Sequence, residues 1–245
     1  MRNIKLIIEY DGTNYSGWQR QNDVITIQET IENAIKRITS EEIKLIASGR
    51  TDKKVHALGQ VANFFTDSNI PGANFKFCLN IELPKDVQII ESEEVPIDFH
   101  SRFDAKRKKY RYLIYNNRIS SPIYRNYSCH VIRNLDIDEM KKSISYFIGT
   151  HDFRSFMGPK SDIDTSIRTI YNMEIIKDGK FIEINIEGNS FLRHMIRIIV
   201  GTLIYIGLGK IKKEEIKYML NNKNRILAGP TAPAQGLFLE KVFYE

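Results

Sequence analysis

The stretch Ile46-Ala-Ser-Gly49-Arg50-Thr51-Asp52-Lys53-Lys54-Val55-His56-Ala57-Leu58-Gly59-Gln60-Val61-Ala62-Asn63-Phe64-Phe65 reads as two short strands on either side of a charged loop. Ile43 to Ser48 and Leu58 to Phe65 are rich in β-branched and aromatic residues, whereas the Gly-Arg-Thr-Asp-Lys-Lys between them is too polar to be buried without partners. One carboxylate, Asp52, therefore lies among Arg50, Lys53, Lys54 and His56. Neighbouring cations favour its ionised form, which makes it an oxygen nucleophile or a base near neutral pH. Loops held by rigid strands are a common place for chemistry, and equally a place where an aspartate caps a backbone amide.

Working outward, the same pattern occurs twice. Ile4 to Tyr10 predicts a strand, followed by the turn-rich Asp11-Gly12-Thr13-Asn14-Tyr15-Ser16-Gly17-Trp18. A helix comes next: Thr26 and Glu29 form a capping box, and Ile27, Ile31, Ile35 and Ile38 make one apolar stripe. After the two strands around Asp52 come a short helix near Asn74 to Leu79 and a strand at Val87 to Glu91. In the second half, Lys109 to Asn116 is a strand, Asp138 to Ile148 a helix, and Arg168 to Lys177 with Phe181 to Glu187 a hairpin closed by Asp178-Gly179. Ser190 to Ile206 is the next helix and Leu237 to Tyr244 the last strand. The fold class is α+β: two ferredoxin-like β-α-β-β-α-β halves, their antiparallel sheets side by side with a catalytic cleft between them. The lobes are residues 1–104, carrying the Asp52 loop, and 105–245, carrying a basic aromatic strand and the Arg197 helix. Gly149 to Thr165 and Lys223 to Gly236 are the expected functional loops.

With 245 residues and 42% hydrophobic content, the chain can fill one large core or two modest ones. A formal charge of +6 and a pI near 9.1 favour an anionic partner. The charge is concentrated: between Arg102 and Arg118, seven cations (Arg102, Lys106, Arg107, Lys108, Lys109, Arg111, Arg118) face the single acid Asp104, interleaved with Tyr110, Tyr112 and Tyr115. Cations for phosphates beside rings for stacking are the equipment of single-stranded or looped RNA binding. Cys78 and Cys129 match no metal spacing and read as free thiols in a reducing compartment. Met1-Arg2-Asn3 leads directly into a strand, so no targeting segment is expected, and Ile196 to Leu208 is too short to cross a bilayer. A cytoplasmic protein is expected, with no membrane partner.

The helix Asn189-Ser-Phe191-Leu-Arg193-His-Met195-Ile-Arg197-Ile-Ile-Val200-Gly201 is apolar nearly all round. Arg197, set among isoleucines, needs a carboxylate partner or a route to water. It either snorkels to the surface or pairs with Asp52, and Arg193, one turn earlier, is expected on the same side.

Taken together, Gly49-Arg50-Thr51-Asp52 with Val55-His56-Ala57, Tyr10-Asp11-Gly12-Thr13 with Gly17-Trp18-Gln19, and Lys109-Tyr110-Arg111-Tyr112 resemble the tRNA pseudouridine synthase A family. His151-Asp152-Phe153, Arg168-Thr169-Ile170, Gly188 to Arg197 and Gly229 to Leu237 extend that resemblance over nearly the whole chain, in order. The resemblance implies that Asp52 is the nucleophile, that Arg50 helps bring the target nucleotide out of its stack, that Tyr110 packs on the uracil, and that Arg197 pairs with Asp52. It also carries Leu237 into the substrate-binding set. The implied activity is isomerisation of uridine to pseudouridine at positions 38, 39 or 40 of the tRNA anticodon arm, by a homodimer without cofactor or metal. Lys53-Lys54 departs from the family, which more often has a small residue and glycine there. The competing expectation is a non-catalytic RNA-binding module or RNA chaperone using the same basic and aromatic surfaces without Asp52. A methyltransferase would need a glycine-rich turn after a strand, whereas Gly207-Leu208-Gly209 follows a helix; a metal enzyme would need a ligand spacing that the five histidines do not offer.

Overall fold

A computed structural model describes residues 1–159 and 164–245, and the chain divides into two compact units. Residues 1–106 and 238–245 form the first, and residues 107–237 the second.

The first unit contains β1 (Arg2–Tyr10), α1 (Ile27–Thr39), β2 (Ile46–Ala47), β3 (His56–Thr66), α2 (Phe75–Glu82) and β4 (Val87–Val95). The strand order β4-β1-β3, with β2 on the far edge of β3, is the split βαβ arrangement expected from the sequence. Alternation along β1 buries Ile4, Leu6 and Ile8 on one face. Helix α1 covers them with Ile27, Ile31, Ala34 and Ile35, and Thr26 caps it by accepting from the Glu29 N–H. Only Ile46 and Ala47 of the expected Ile43–Ser48 strand pair with β3, opposite Asn63 and Ala62. The other end of that edge is occupied: Phe238 and Leu239 of the closing strand, Leu237–Phe243, run parallel to His56 and Ala57. Parallel pairing with a segment so distant has no local sequence signature.

The second unit contains β5 (Arg107–Asn116), β6 (Cys129–Val131), α3 (Ile137–Ser143), β7 (Gly149–Asp152), β8 (Ile167–Asp178), β9 (Phe181–Gly188), α4 (Met195–Gly207) and α5 (Glu215–Asn222). Its strands run β5-β9-β8-β7, with β6 parallel to β5 on the side away from β9. β6, β7 and α5 were not expected. The hairpin turn lies one residue later than anticipated: Asp178 pairs with Phe181, so Gly179 and Lys180 are central. Gly179 alone has positive φ, as a II′ turn requires of its first central residue.

Helix α4 begins at Met195 rather than Ser190, because His194 adopts φ 61 and ends any helical path through it. Gly158 explains how this bend packs: its N–H donates to the Arg193 carbonyl at 2.8 Å, and a Cβ there would lie 2.6 Å from His194 Nδ1. Arg193 consequently precedes the helix and is exposed, donating to the Pro159 carbonyl. Cys78 and Cys129 are free thiols. Among the described residues no helix is long and apolar enough to cross a membrane. Of the loop 149–165, residues 160–163 lie outside the described residues.

Candidate active site

In the first unit, the loop after β2 is fixed by a buried polar network. The Ser48 N–H donates to the Val61 carbonyl at 2.8 Å, continuing the β2 pairing into the loop. Ser48 Oγ donates to Gln60 Oε1 at 2.7 Å, and Gln60 Nε2 donates to the Gly49 carbonyl at 2.9 Å. Thr51 is buried, its Oγ1 lying 2.7 Å from Tyr10 Oη, and burial pushes the Tyr10 phenol far above its ordinary range. The Trp18 N–H completes the clamp by donating to the Thr51 carbonyl at 3.1 Å. Each hydroxyl and amide thus has a partner, as burial demands.

This framework carries Asp52 half-buried at the start of a tight turn closed by the Val55 N–H on the Asp52 carbonyl at 3.1 Å. Gly17 passes so close that a Cβ would meet the Thr51 carbonyl oxygen at 2.8 Å and the Asp52 carbonyl carbon at 3.2 Å. At Gly12 a Cβ would fall 2.0 Å from the Val55 oxygen. Lys54 occupies the left-handed region at φ 66, where a glycine would be unstrained. Arg50, Lys53 and Lys54 are exposed. Below the turn, His56 is 2% exposed and stacks on Phe238 with centroids 4.7 Å apart. His56 Nδ1 lies 3.1 Å from both the Gly12 nitrogen and Asp11 Oδ1.

In the second unit, the β5 residues Tyr110 and Tyr112 point into the core, opposite Ile186 and Ile184 of β9. Tyr110 meets Phe191 edge-to-face at 5.3 Å. Tyr112 donates to the Pro233 carbonyl at 2.7 Å. Burial drives its phenol well above its ordinary value; Cys129 acts in the same direction, and the nearby Arg197 charge opposes it. Arg197, half-buried in the first turn of α4, donates from Nε to the Ala232 carbonyl at 2.8 Å, while its own carbonyl accepts from the Ala232 N–H. The 229–233 segment lies hard against α4: a Cβ on Gly201 would reach the Pro230 oxygen at 1.7 Å. Leu237, buried, follows this segment at the head of the closing strand. The structure therefore gathers Tyr112, Arg197 and the expected loop 223–236 into one packed cluster.

The basic strand is less available than its composition suggests. Arg107 donates to Glu187 at 2.6 Å, and Arg111 lies 3.9 Å from Glu183, both acids being on β9. Opposite charges across neighbouring strands stabilise the sheet and lower the net charge it presents. Among the described residues no cluster of three or more His, Cys, Asp or Glu could hold a metal.

A family model described as tRNA pseudouridine synthase matches residues 6–104 and 144–245. The chain belongs to the tRNA pseudouridine synthase A family. A relative of that name from Acetivibrio thermocellus is 52% identical over 244 residues, covering 100% of both chains. Another, from Ruminiclostridium cellulolyticum, is 49% identical over 245 residues with the same coverage. Among solved structures, a chain in the crystal structure of a Cbf5-Nop10-Gar1 complex aligns with 94% of this chain at 13% identity and TM-score 0.39, and this chain spans 56% of it.

As a tRNA pseudouridine synthase A family member, the protein is an isomerase. Asp52 and Arg50 belong to its first unit, and Tyr110, Arg197 and Leu237 to its second. Tyr10, Gly17 and Gln60, which build the Asp52 loop, are not among the site residues expected from the sequence. The signal for Tyr10 and Gly17 was present in Tyr10-Asp11-Gly12-Thr13 and Gly17-Trp18-Gln19, two strings whose glycines mark close backbone approach, whereas Gln60, within β3, carried none.

Proposed function

We propose that the protein isomerises uridine to pseudouridine at positions 38, 39 or 40 of the tRNA anticodon arm, with Asp52 as the nucleophile. The observation that carries this reading is a half-buried carboxylate on the Gly49-Arg50-Thr51-Asp52 loop, immobilised by Tyr10, Gln60 and Gly17 in a chain of this family. Rigid placement is what a nucleophile needs if it is to meet the reacting carbon without reorganising. The reaction breaks the bond from C1′ to N1 and forms one from C1′ to C5. The proton released from C5 is balanced by protonation at N1, and neither water nor a redox partner enters. Asp52 attacks C1′, assists formation of a glycal, or adds to C6; all three routes need the same ionised oxygen.

Extruding the target base costs a few kcal/mol, which pocket stacking recovers. Arg50 is exposed on the same loop and assists extrusion; Tyr110 stacks on the uracil, and Leu237 lines its pocket. Arg197 supplies the cation that pairs with Asp52. The enzyme acts in the cytoplasm as a homodimer.

The test is nucleotide-resolution pseudouridine mapping of an unmodified tRNA transcript treated with wild type or Asp52→Asn in chelating buffer. Wild type converts the anticodon-arm uridines. Asp52→Asn loses at least about 1000-fold in turnover while keeping tRNA affinity within about tenfold. Wild-type turnover by the variant would remove the nucleophile assignment. Arg197→Met is expected to lower both turnover and melting temperature, because it strands the partner carboxylate. If neither value moves, the ion pair is disproved.

A further inference from the structure

Between Asp104 and Asp136 the chain contains no acidic residue. The first cations of this stretch, on β5, are partly answered by Glu183 and Glu187. The later ones are not: Arg118, Arg125 and Arg133 form no ion pair among the described residues, and Arg125 donates only to the Pro122 carbonyl. They lie on and beside a compact excursion that leaves β5 at Asn116 and returns at β6. Its two ends are pinned together. The Asn117 N–H donates to the Val131 carbonyl at 3.2 Å, and Asn116 Nδ2 donates to the Val131 and Arg133 carbonyls at 2.9 and 2.8 Å. Closed ends, internal bonds such as Ser128 Oγ to the Tyr124 carbonyl at 2.8 Å, and a surface position define an Ω-loop, a form that frequently carries function.

The same loop displays apolar and aromatic surface. Ile119 and Ile123 are 75% and 74% exposed, and Tyr124 and Tyr127 are 40% and 38% exposed. Tyr124 is held in position by Phe181 at 4.8 Å and by Tyr115 at 6.2 Å, which leaves a fixed ring part-open to solvent. The family-model match is interrupted between residues 104 and 144, so the loop falls outside it.

We propose that the loop 117–133 is a second RNA-docking surface, separate from the Asp52 loop, on which Arg118, Arg125 and Arg133 contact phosphates while Tyr124 and Tyr127 stack on unpaired bases. This rests on the tRNA reading above and extends it. Cations with no acid between them complement a phosphate backbone, and exposed rings in the same loop complement bases. Strand β5, whose arginines are engaged by β9, serves as the platform, and the loop makes the contact.

The test measures binding of an unmodified tRNA transcript by anisotropy across a salt series, using Arg118→Gln/Arg125→Gln/Arg133→Gln and the matching triple lysine variant. The glutamine variant is expected to bind about tenfold more weakly at physiological salt. Its slope of log affinity against log salt becomes shallower by about two to three, one for each lost phosphate contact. The loss falls on KM more than on kcat, and the lysine variant retains the wild-type slope. Unchanged affinity and slope in the glutamine variant overturn the proposal. So does a change in molecular mass by light scattering without a change in binding, which would make the loop an interface between two copies of this chain. Failure of the isomerase reading is seen separately, as a wild type that binds the transcript and forms no pseudouridine.

Discussion

Two cationic loops in this molecule are held in different ways. The loop at Asp52 is clamped along its length: Ser48, Gly49, Thr51, Asp52 and Val55 each bond to a neighbour or within the turn, and two glycines admit backbone where no Cβ fits. The loop 117–133 is closed at its ends by Asn116 and Asn117 and braced within itself, as by Ser128 Oγ on the Tyr124 carbonyl, and carries its cations and rings outward. Over-determined backbone suits a group that must not move during bond making, whereas end-pinned loops suit a surface that accommodates a polyanion.

The contrast can be broken at either end. Gly12→Ala should be the most damaging change, since its methyl would lie 2.0 Å from the Val55 oxygen. A loss of about 1–3 kcal/mol is expected, with turnover falling further than stability alone accounts for. Thermal melts and single-turnover assays would show this, and a variant with native melting and rate would mean the Asp52 loop is not rigid. Asn116→Ala removes the two donations to the Val131 and Arg133 carbonyls and the acceptor of the Leu135 N–H. The expected cost is about 1–2 kcal/mol, accompanied by weaker tRNA binding; unaltered affinity would show that pinning the loop is irrelevant to docking. Lys54→Gly should have the smallest effect and the opposite sign. Relief of the left-handed strain is worth about 1–2 kcal/mol and is offset by glycine's unfolded-state entropy. A net gain of up to about 1 kcal/mol corresponds to a melting temperature higher by about 2–4 °C. A lower melting temperature would mean that the lysine side chain stabilises the turn by more than its backbone costs.

Lys54 shows how much sequence reading delivers and where it stops. Substitution of a lysine where the family favours glycine flagged the turn, but its sign and cost depend on φ 66, which only the folded chain displays. The helix expected over Ser190–Ile206 is present as α4, but its start was misplaced in the same manner. Its apolar pattern is continuous through His194, and nothing in that pattern records that Gly158 lets the chain bend there. The basic run on β5 was legible as charge, yet the acids that answer it sit more than seventy residues away on β9.

By itself the sequence determined the β-α-β-β-α-β order of the first unit, the β8–β9 hairpin and most of α4 in the second, the capped start of α1, the placement of Asp52 between two strands, and the string of motifs that marks the family. These are local or ordered features, fixed by alternation, turn chemistry and residue type. Tertiary structure alone decided the parallel pairing of Phe238 and Leu239 with β3, the hydrogen bonds fixing Thr51 and Gly49, the seat of Arg197 against Ala232, and which arginines remain unpaired by acids. Each depends on groups brought together across long stretches of chain, where the buried polar atoms must find partners that no local pattern specifies.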